Sequence, residues 1–317
     1  MSPADGLPVA FGPGPGPGPG PGPGDVPPAL AAAVEAGGGR LVGPDQAEAL
    51  VWTRMFDPTG LPEFLAAAPG IRWVQLPVAG VEAFDGLFAD GRRWTCAKGA
   101  YAEPVAEHAL ALGLAGLRVL ATRARATEWG PPAGASLMDG RVTILGGGGI
   151  TEALLGLLAP FRAEVTVVRR SARPLAGAAR VVGPDLLHEA LAGAQLVVLA
   201  LALTAETSGI VAAPELAAMG PTGWLVNVAR GAHVVTDDLV DALRAGAIGG
   251  AALDVTDPEP LPAGHPLWHL DNCLVTPHVA DTWEMAEPLL ARRIRENVGR
   301  YRAGEPLLGV VDPDLGY

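Results

Sequence analysis

From Arg141 to Pro277, seven short apolar runs (RVTILG, AEVTVV, ARVVG, AQLVVLAL, GWLVNVA, GGAALDV and NCLVTP) follow one another, most of them separated by helical segments. Runs that are short and apolar throughout suit strands covered on both faces, and their alternation with helices builds a parallel sheet. This stretch is therefore expected to be a doubly wound α/β domain. A similar series precedes it. LPVAF, RLVG, ALVWT and IRWVQLP read as strands, and Pro28–Ala36 and LPEFLAAAP read as helices, so a second parallel sheet is expected. Between the two series one long apolar-periodic helix is expected over Ala102–Ala121, and PLLARRIRENVGRYRAGEPLLG reads as an amphipathic helix with an extended end. The Gly-Pro run that begins at Gly12 and reaches Asp25 can form neither helix, sheet nor core. It reads as an expanded loop over 12–24, between the first strand and the first helix.

The chain of 317 residues is long enough for two domains with cores of their own. No apolar run reaches the roughly 18 residues of a membrane span, and the start lacks the pattern of a signal peptide, so a cytosolic protein is expected. A net charge of −12 with no basic stripe argues against nucleic acid or an anionic membrane as partner. Cys96 and Cys273 are the only cysteines, far apart and without ligand spacing, so neither a disulfide framework nor a metal site is expected.

The first strand of the second series runs into Gly146, Gly147, Gly148, Gly149 and Ile150, and a helix follows. In a dinucleotide site the first glycine permits the tight turn, and Gly148 would let the backbone approach a pyrophosphate at the helix N-terminus. Thr151 stands where a third glycine favours close helix–strand packing. At the end of the next strand an NAD(H) site would place a carboxylate for the ribose. Arg169, Arg170 and Ser171 stand there instead, and guanidinium groups suit a 2′-phosphate. NADP(H) is therefore expected in preference to NAD(H).

Three further strand ends carry chemistry. NVARG places Arg230, LDVTDPEPLP places Asp254 and Glu259, and VTPHVAD places His278. A cationic anchor, a carboxylate and a histidine thus emerge in order at the sheet edge that carries the glycine loop.

With these motifs the sequence resembles the D-isomer-specific 2-hydroxyacid dehydrogenases over nearly its whole length, through WVQLPVAGVE, YAEPVAEHALAL, the glycine loop, LALTAETSGIV, NVARGAHVVTDDLVDAL, LDVTDPEPLP and TPHVADT. It departs from the family at Thr151, at the arginine pair, at Asp281 and in the Gly-Pro run. The resemblance implies a Rossmann-type cofactor domain, residues 99–284, inserted into a flavodoxin-like substrate domain made of residues 1–98 and 285–317, with the active site in the cleft between them. It implies a homodimer joined through the helix Ala102–Ala121. It also implies that Val78, Ala79 and Gly80 hold a substrate carboxylate, that Asp254 bonds the nicotinamide carboxamide, and that Ala202, Thr207 and Val228 line the cofactor.

The expected reaction is reduction of a small 2-oxo acid of the glyoxylate or hydroxypyruvate type to the D-2-hydroxy acid. Arg230 would hold the carboxylate and carbonyl oxygen, and His278, beside Glu259, would give the proton. Two other readings stay open: a reductase for a phosphonate-bearing oxo acid, with Lys98 and Arg72 as extra cations, and a nucleotide-sensing homologue without catalysis. A short-chain dehydrogenase is disfavoured, because Tyr101, Tyr301 and Tyr317 form no Tyr-x-x-x-Lys pair. His108 is expected to serve packing or a hinge, and His188, His233, His265 and His269 are expected on surface segments without partners.

Overall fold

The computed structural model describes residues 6–12 and 26–312. The described residues divide into two compact units, one drawn from Met1–Tyr101 and Asp281–Tyr317, the other Ala102–Ala280. Of the Gly-Pro run only Gly12 is described, and it ends the first strand paired with Trp52 rather than opening a loop; the rest of the loop expected over 12–24 lies outside the described residues.

In the first unit β1 (Leu7–Gly12), α1 (Pro28–Ala36), β2 (Gly39–Leu41), β3 (Ala49–Trp52), α2 (Leu61–Ala67), β4 (Trp73–Gln75) and β5 (Arg93–Thr95) follow in order. Their sheet is parallel, in the order β2-β1-β3-β4-β5, which is the flavodoxin arrangement. All four residues of β3 are buried, as the all-apolar ALVW requires of a central strand covered on both faces. β5 is not among the expected strands. Only three residues long and opening on the exposed Arg93, it carries too little apolar pattern to stand out.

The second unit begins with α3 (Ala102–Leu117) and α4 (Leu120–Arg125). The single helix expected over Ala102–Ala121 is thus corrected to two. The amide of Ala135 takes the carbonyl of Leu117 at 2.7 Å, the acceptor that the amide of Ala121 would need to continue the helix, and Val119 turns to φ 48°. Gly113 and Gly116 let α3 lie close on the sheet: a β-carbon would stand 2.8 Å from Leu196 at the first and 2.3 Å from the Trp224 ring at the second.

Next come β6 (Arg141–Leu145), α5 (Gly149–Leu158), β7 (Glu164–Val168), β8 (Arg180–Val182), α6 (Leu187–Leu191), β9 (Leu196–Leu199), α7 (Ala213–Met219), β10 (Trp224–Asn227), α8 (Thr236–Ala245), β11 (Gly250–Leu253) and β12 (Cys273–Val275). All seven expected strands form, in one parallel sheet ordered β12-β11-β10-β9-β6-β7-β8. Its strand order reverses between β6 and β9, the position at which open parallel sheets bind ligands beyond their carboxyl ends. The chain then returns to the first unit as α9 (Trp283–Ala303), which packs on α1. Two parallel sheets in an α/β fold are what the sequence led us to expect. No described helix is long and apolar enough to cross a membrane. Both cysteines are buried and free, and burial pushes the Cys273 thiol up to about 12.

Candidate active site

The carboxyl ends of β6, β7, β9, β10, β11 and β12 present the glycine loop, Arg169, Ala202, Val228 with Arg230, Asp254 with Glu259, and His278 respectively. The glycine loop is built by unequal demands. Gly146 has φ 113°, and a β-carbon there would stand 2.1 Å from the Ala200 carbonyl oxygen. At Gly147 it would stand 2.4 Å from Arg169 Cδ, whereas at Gly148 nothing lies within 4 Å. Nothing in this unit's packing therefore requires glycine at 148, which leaves open backbone at the start of α5. Gly149 and Ile150 begin that helix without a side-chain cap, so its first amides point at the same opening. This cradle fits a dinucleotide pyrophosphate.

Thr151 is fully buried and its Oγ1 donates to the Gly146 carbonyl at 3.0 Å, so the turn gains a hydrogen bond where a glycine would give only space. Arg169 Nε donates to the Ser171 carbonyl at 2.7 Å, which draws the guanidinium over the glycine loop. Arg170 and Ser171 are exposed beside it. On the other side of the reversal Thr207 Oγ1 donates to the Ala202 carbonyl at 2.7 Å.

Beyond β10, Asn227 shapes the turn, donating to the Arg230 carbonyl at 2.8 Å and accepting from the Ala229 amide at 3.0 Å. Arg230 Nη1 donates to the Ala229 carbonyl at 2.7 Å. At Gly231 a β-carbon would meet the Thr256 carbonyl at 2.0 Å, so the Arg230 turn runs directly against the segment leading to Glu259. Glu259 in turn faces His278, with Oε1 2.6 Å from Nδ1. A proton on Nδ1 held by the carboxylate leaves Nε2 as the nitrogen that can exchange a proton with a substrate. His278 has φ 52°, a conformation that costs a non-glycine residue roughly 1–3 kcal/mol and persists only where its surroundings impose it.

Asp254 imposes it. Its Oδ1 accepts from Thr276 Oγ1 at 2.6 Å and the Val279 amide at 3.0 Å, its Oδ2 from the Ala280 amide at 3.0 Å, and its carbonyl from the His278 amide at 2.8 Å. Burial works to raise the pKa of Asp254, but hydrogen bonds from His108, Thr276, Val279 and Ala280 outweigh it and hold the carboxyl below its ordinary value. Val78, Ala79 and Gly80 belong to the first unit, after β4, where the Val78 carbonyl accepts from the Ala97 amide at 2.7 Å.

His233 departs from the surface place expected of it, while His188, exposed as expected, and His265, which accepts from the Leu267 amide at 3.3 Å, have partners that were not expected. His233 is fully buried, with Nδ1 3.0 Å from the Thr207 carbonyl and Nε2 3.2 Å from the Leu201 carbonyl, because the turn after Arg230 tucks its ring under the Leu201–Thr207 segment. His188 stands 2.7 Å from Glu215. Thr276 is not among the residues expected at the site, and its one signal in the sequence is its place two residues before His278.

Residues 109–280 match the family model described as D-isomer specific 2-hydroxyacid dehydrogenase, NAD binding domain. A Corynebacterium melassecola protein, described only as an uncharacterized protein in the proB 3′ region, is 42% identical over 264 residues, covering 81% of this chain and 87% of that one. The glyoxylate/hydroxypyruvate reductase A of Serratia proteamaculans is 36% identical over 191 residues, which span 60% of each chain. Among solved structures, a D-isomer specific 2-hydroxyacid dehydrogenase from Xanthobacter autotrophicus Py2, in complex with NADPH and MES, superposes with a TM-score of 0.82 at 30% identity, covering 99% of this chain and 100% of that one.

Proposed function

The chain belongs to the D-isomer specific 2-hydroxyacid dehydrogenase family, and from that premise we propose that it reduces a small 2-oxo acid of the glyoxylate or hydroxypyruvate type with NADPH. The carrying observation is the Glu259–His278 pair at 2.6 Å, on the sheet edge that also carries Arg230 and the glycine cradle. The cofactor supplies the hydride when bound. Arg230 grips the substrate carboxylate and carbonyl oxygen, with the backbone of Val78, Ala79 and Gly80 as further donors to the carboxylate. His278 gives its Nε2 proton to the carbonyl oxygen during reduction and takes it back during oxidation, while Glu259 holds the ring through Nδ1. Gly146, Gly148, Gly149 and Ile150 hold the pyrophosphate, and Ala202, Thr207, Val228 and Asp254 bound the rest of the nucleotide.

The preference for NADPH rests on Arg169 and Arg170 standing where a ribose-binding acid would exclude a 2′-phosphate, and the similar Xanthobacter enzyme was solved with NADPH. A homodimer joined through the second unit completes the proposal. The test is a panel of 2-oxo acids with NADPH and NADH, followed at the nicotinamide absorbance, with native protein and His278→Ala. Native protein should turn over, and the variant should lose roughly 10²- to 10⁴-fold in kcat while still binding nucleotide. Full activity in the variant would remove His278 from the chemistry. Nucleotide binding with no turnover of any 2-oxo acid would instead mark a nucleotide-sensing protein.

A further inference from the structure

His108 has no part in the chemistry just described, yet its ring reaches the loop that carries His278. Its Nε2 is 3.1 Å from Thr276 Oγ1 and 3.3 Å from Asp254 Oδ1. Counting hydrogens fixes the direction of these bonds. Thr276 Oγ1 lies 2.6 Å from Asp254 Oδ1, and an ionised carboxylate has no proton to give, so the single hydroxyl hydrogen goes to Asp254. The threonine oxygen then offers His108 only lone pairs. Nε2 must therefore carry a hydrogen and donate it, which sets the tautomer of the ring.

The His108 Nε2 hydrogen on α3 thus goes to Thr276 Oγ1 and, at longer range, to Asp254 Oδ1, Thr276 passes its own hydrogen to Asp254, and Asp254 also accepts from the amides of Val279 and Ala280. The Asp254 side chain is 1% exposed, so water has little access to replace a lost donor. His278 lies inside the clamped segment, at a backbone angle that needs the clamp.

We propose that His108 is a positioning residue for the reaction: by donating from Nε2 to Thr276 it fixes the Asp254 carboxylate against the Thr276–Ala280 loop and so sets where the His278 imidazole stands. This rests on the reading of His278 as the proton donor. A histidine that merely fills space beneath the loop would be replaceable by leucine. A donor acting through Thr276 is replaceable only by a side chain that brings a hydrogen to the same point.

The experiment measures kcat for 2-oxo acid reduction and, in the nucleotide-free protein, the ¹H–¹⁵N ring signals of His278. Native protein is compared with His108→Leu, His108→Gln, Thr276→Val and the His108→Leu/Thr276→Val double variant. His108→Leu should lower kcat about tenfold, as expected for loss of one buried hydrogen bond to a charged network, with the KM for the oxo acid little changed, and should shift the His278 signals. His108→Gln, whose amide nitrogen falls near the place of Nε2, should restore both. The double variant should be no worse than Thr276→Val alone, because His108 acts through Thr276. If His108→Leu does not fold, His108→Asn takes its place, being polar but too short to reach Thr276. Native kcat with unmoved His278 signals in the leucine or asparagine variant would overturn the proposal, as would glutamine performing no better than leucine or losses that add in the double variant. If native protein reduces no 2-oxo acid, the reductase reading fails, and the His278 signals alone decide the role of His108.

Discussion

Three neighbouring glycines answer to three different requirements: Gly146 to a positive φ and the Ala200 carbonyl, Gly147 to the stem of Arg169, and Gly148 to nothing within 4 Å. The middle one bears on cofactor choice, because Arg169 can lie over the loop only while position 147 lacks a side chain. Gly147→Ala should displace Arg169 and weaken NADPH more than NADH, and Arg169→Asp should weaken NADPH while sparing or improving NADH. Dissociation constants for both nucleotides measure this. Unchanged NADPH binding in both variants would return Arg169 to an ordinary surface role. The placing of Arg230, Glu259 and His278 on one sheet edge was legible in the sequence because each comes within a few residues of the end of a run of strand character. The contact between Arg169 and Gly147, 22 positions apart, was not, and neither was that between His108 and Thr276, 168 apart. Such pairs arise from the packing of elements, which residue pattern does not encode locally.

At the scale of elements, the strands of the second sheet were legible because their burial on both faces writes an unbroken apolar run, as in LVVL of β9 with every residue buried. β5 escaped because it is short and polar at its start, and the break between α3 and α4 escaped because its cause, the amide of Ala135, lies in a loop 18 residues beyond Leu117. The Thr276–Ala280 loop escaped likewise, since its shape comes from one carboxylate on a neighbouring strand end. That carboxylate ties stability to pH. The Asp254 carboxyl is held below its ordinary value of 3.8, so its contribution is complete above that pH and is lost as pH falls through the depressed folded value. Asp254→Asn should therefore be less stable than native protein by a constant margin from about pH 7 to pH 5, and the margin should shrink below about pH 4. Urea midpoints across this range test it. A margin that stays constant down to pH 2 would mean that the clamp does not depend on the charge.

For the whole molecule, the proposed homodimer has a candidate contact surface in the segment after α3. Trp129 is wholly exposed, Leu120 is 51% exposed and Met138 48%, all within the segment that leaves α3 by way of α4. Scattered single apolar residues on a surface need no explanation, and a wholly exposed indole is the place to look first for a covering partner. A second copy of the chain is the simplest cover, because a two-fold axis lets one patch bury itself against its own counterpart. With a net charge of −12 on each chain, general electrostatics opposes that association, so the apolar contact must supply the attraction. Native protein should therefore sediment as two chains at micromolar concentration. Trp129→Glu should sediment as one, with its circular dichroism unchanged, because the substitution places a carboxylate in the proposed contact without touching either sheet. A native protein that sediments as a single chain would overturn the dimer, and a Trp129→Glu variant that remains paired would move the interface away from this segment.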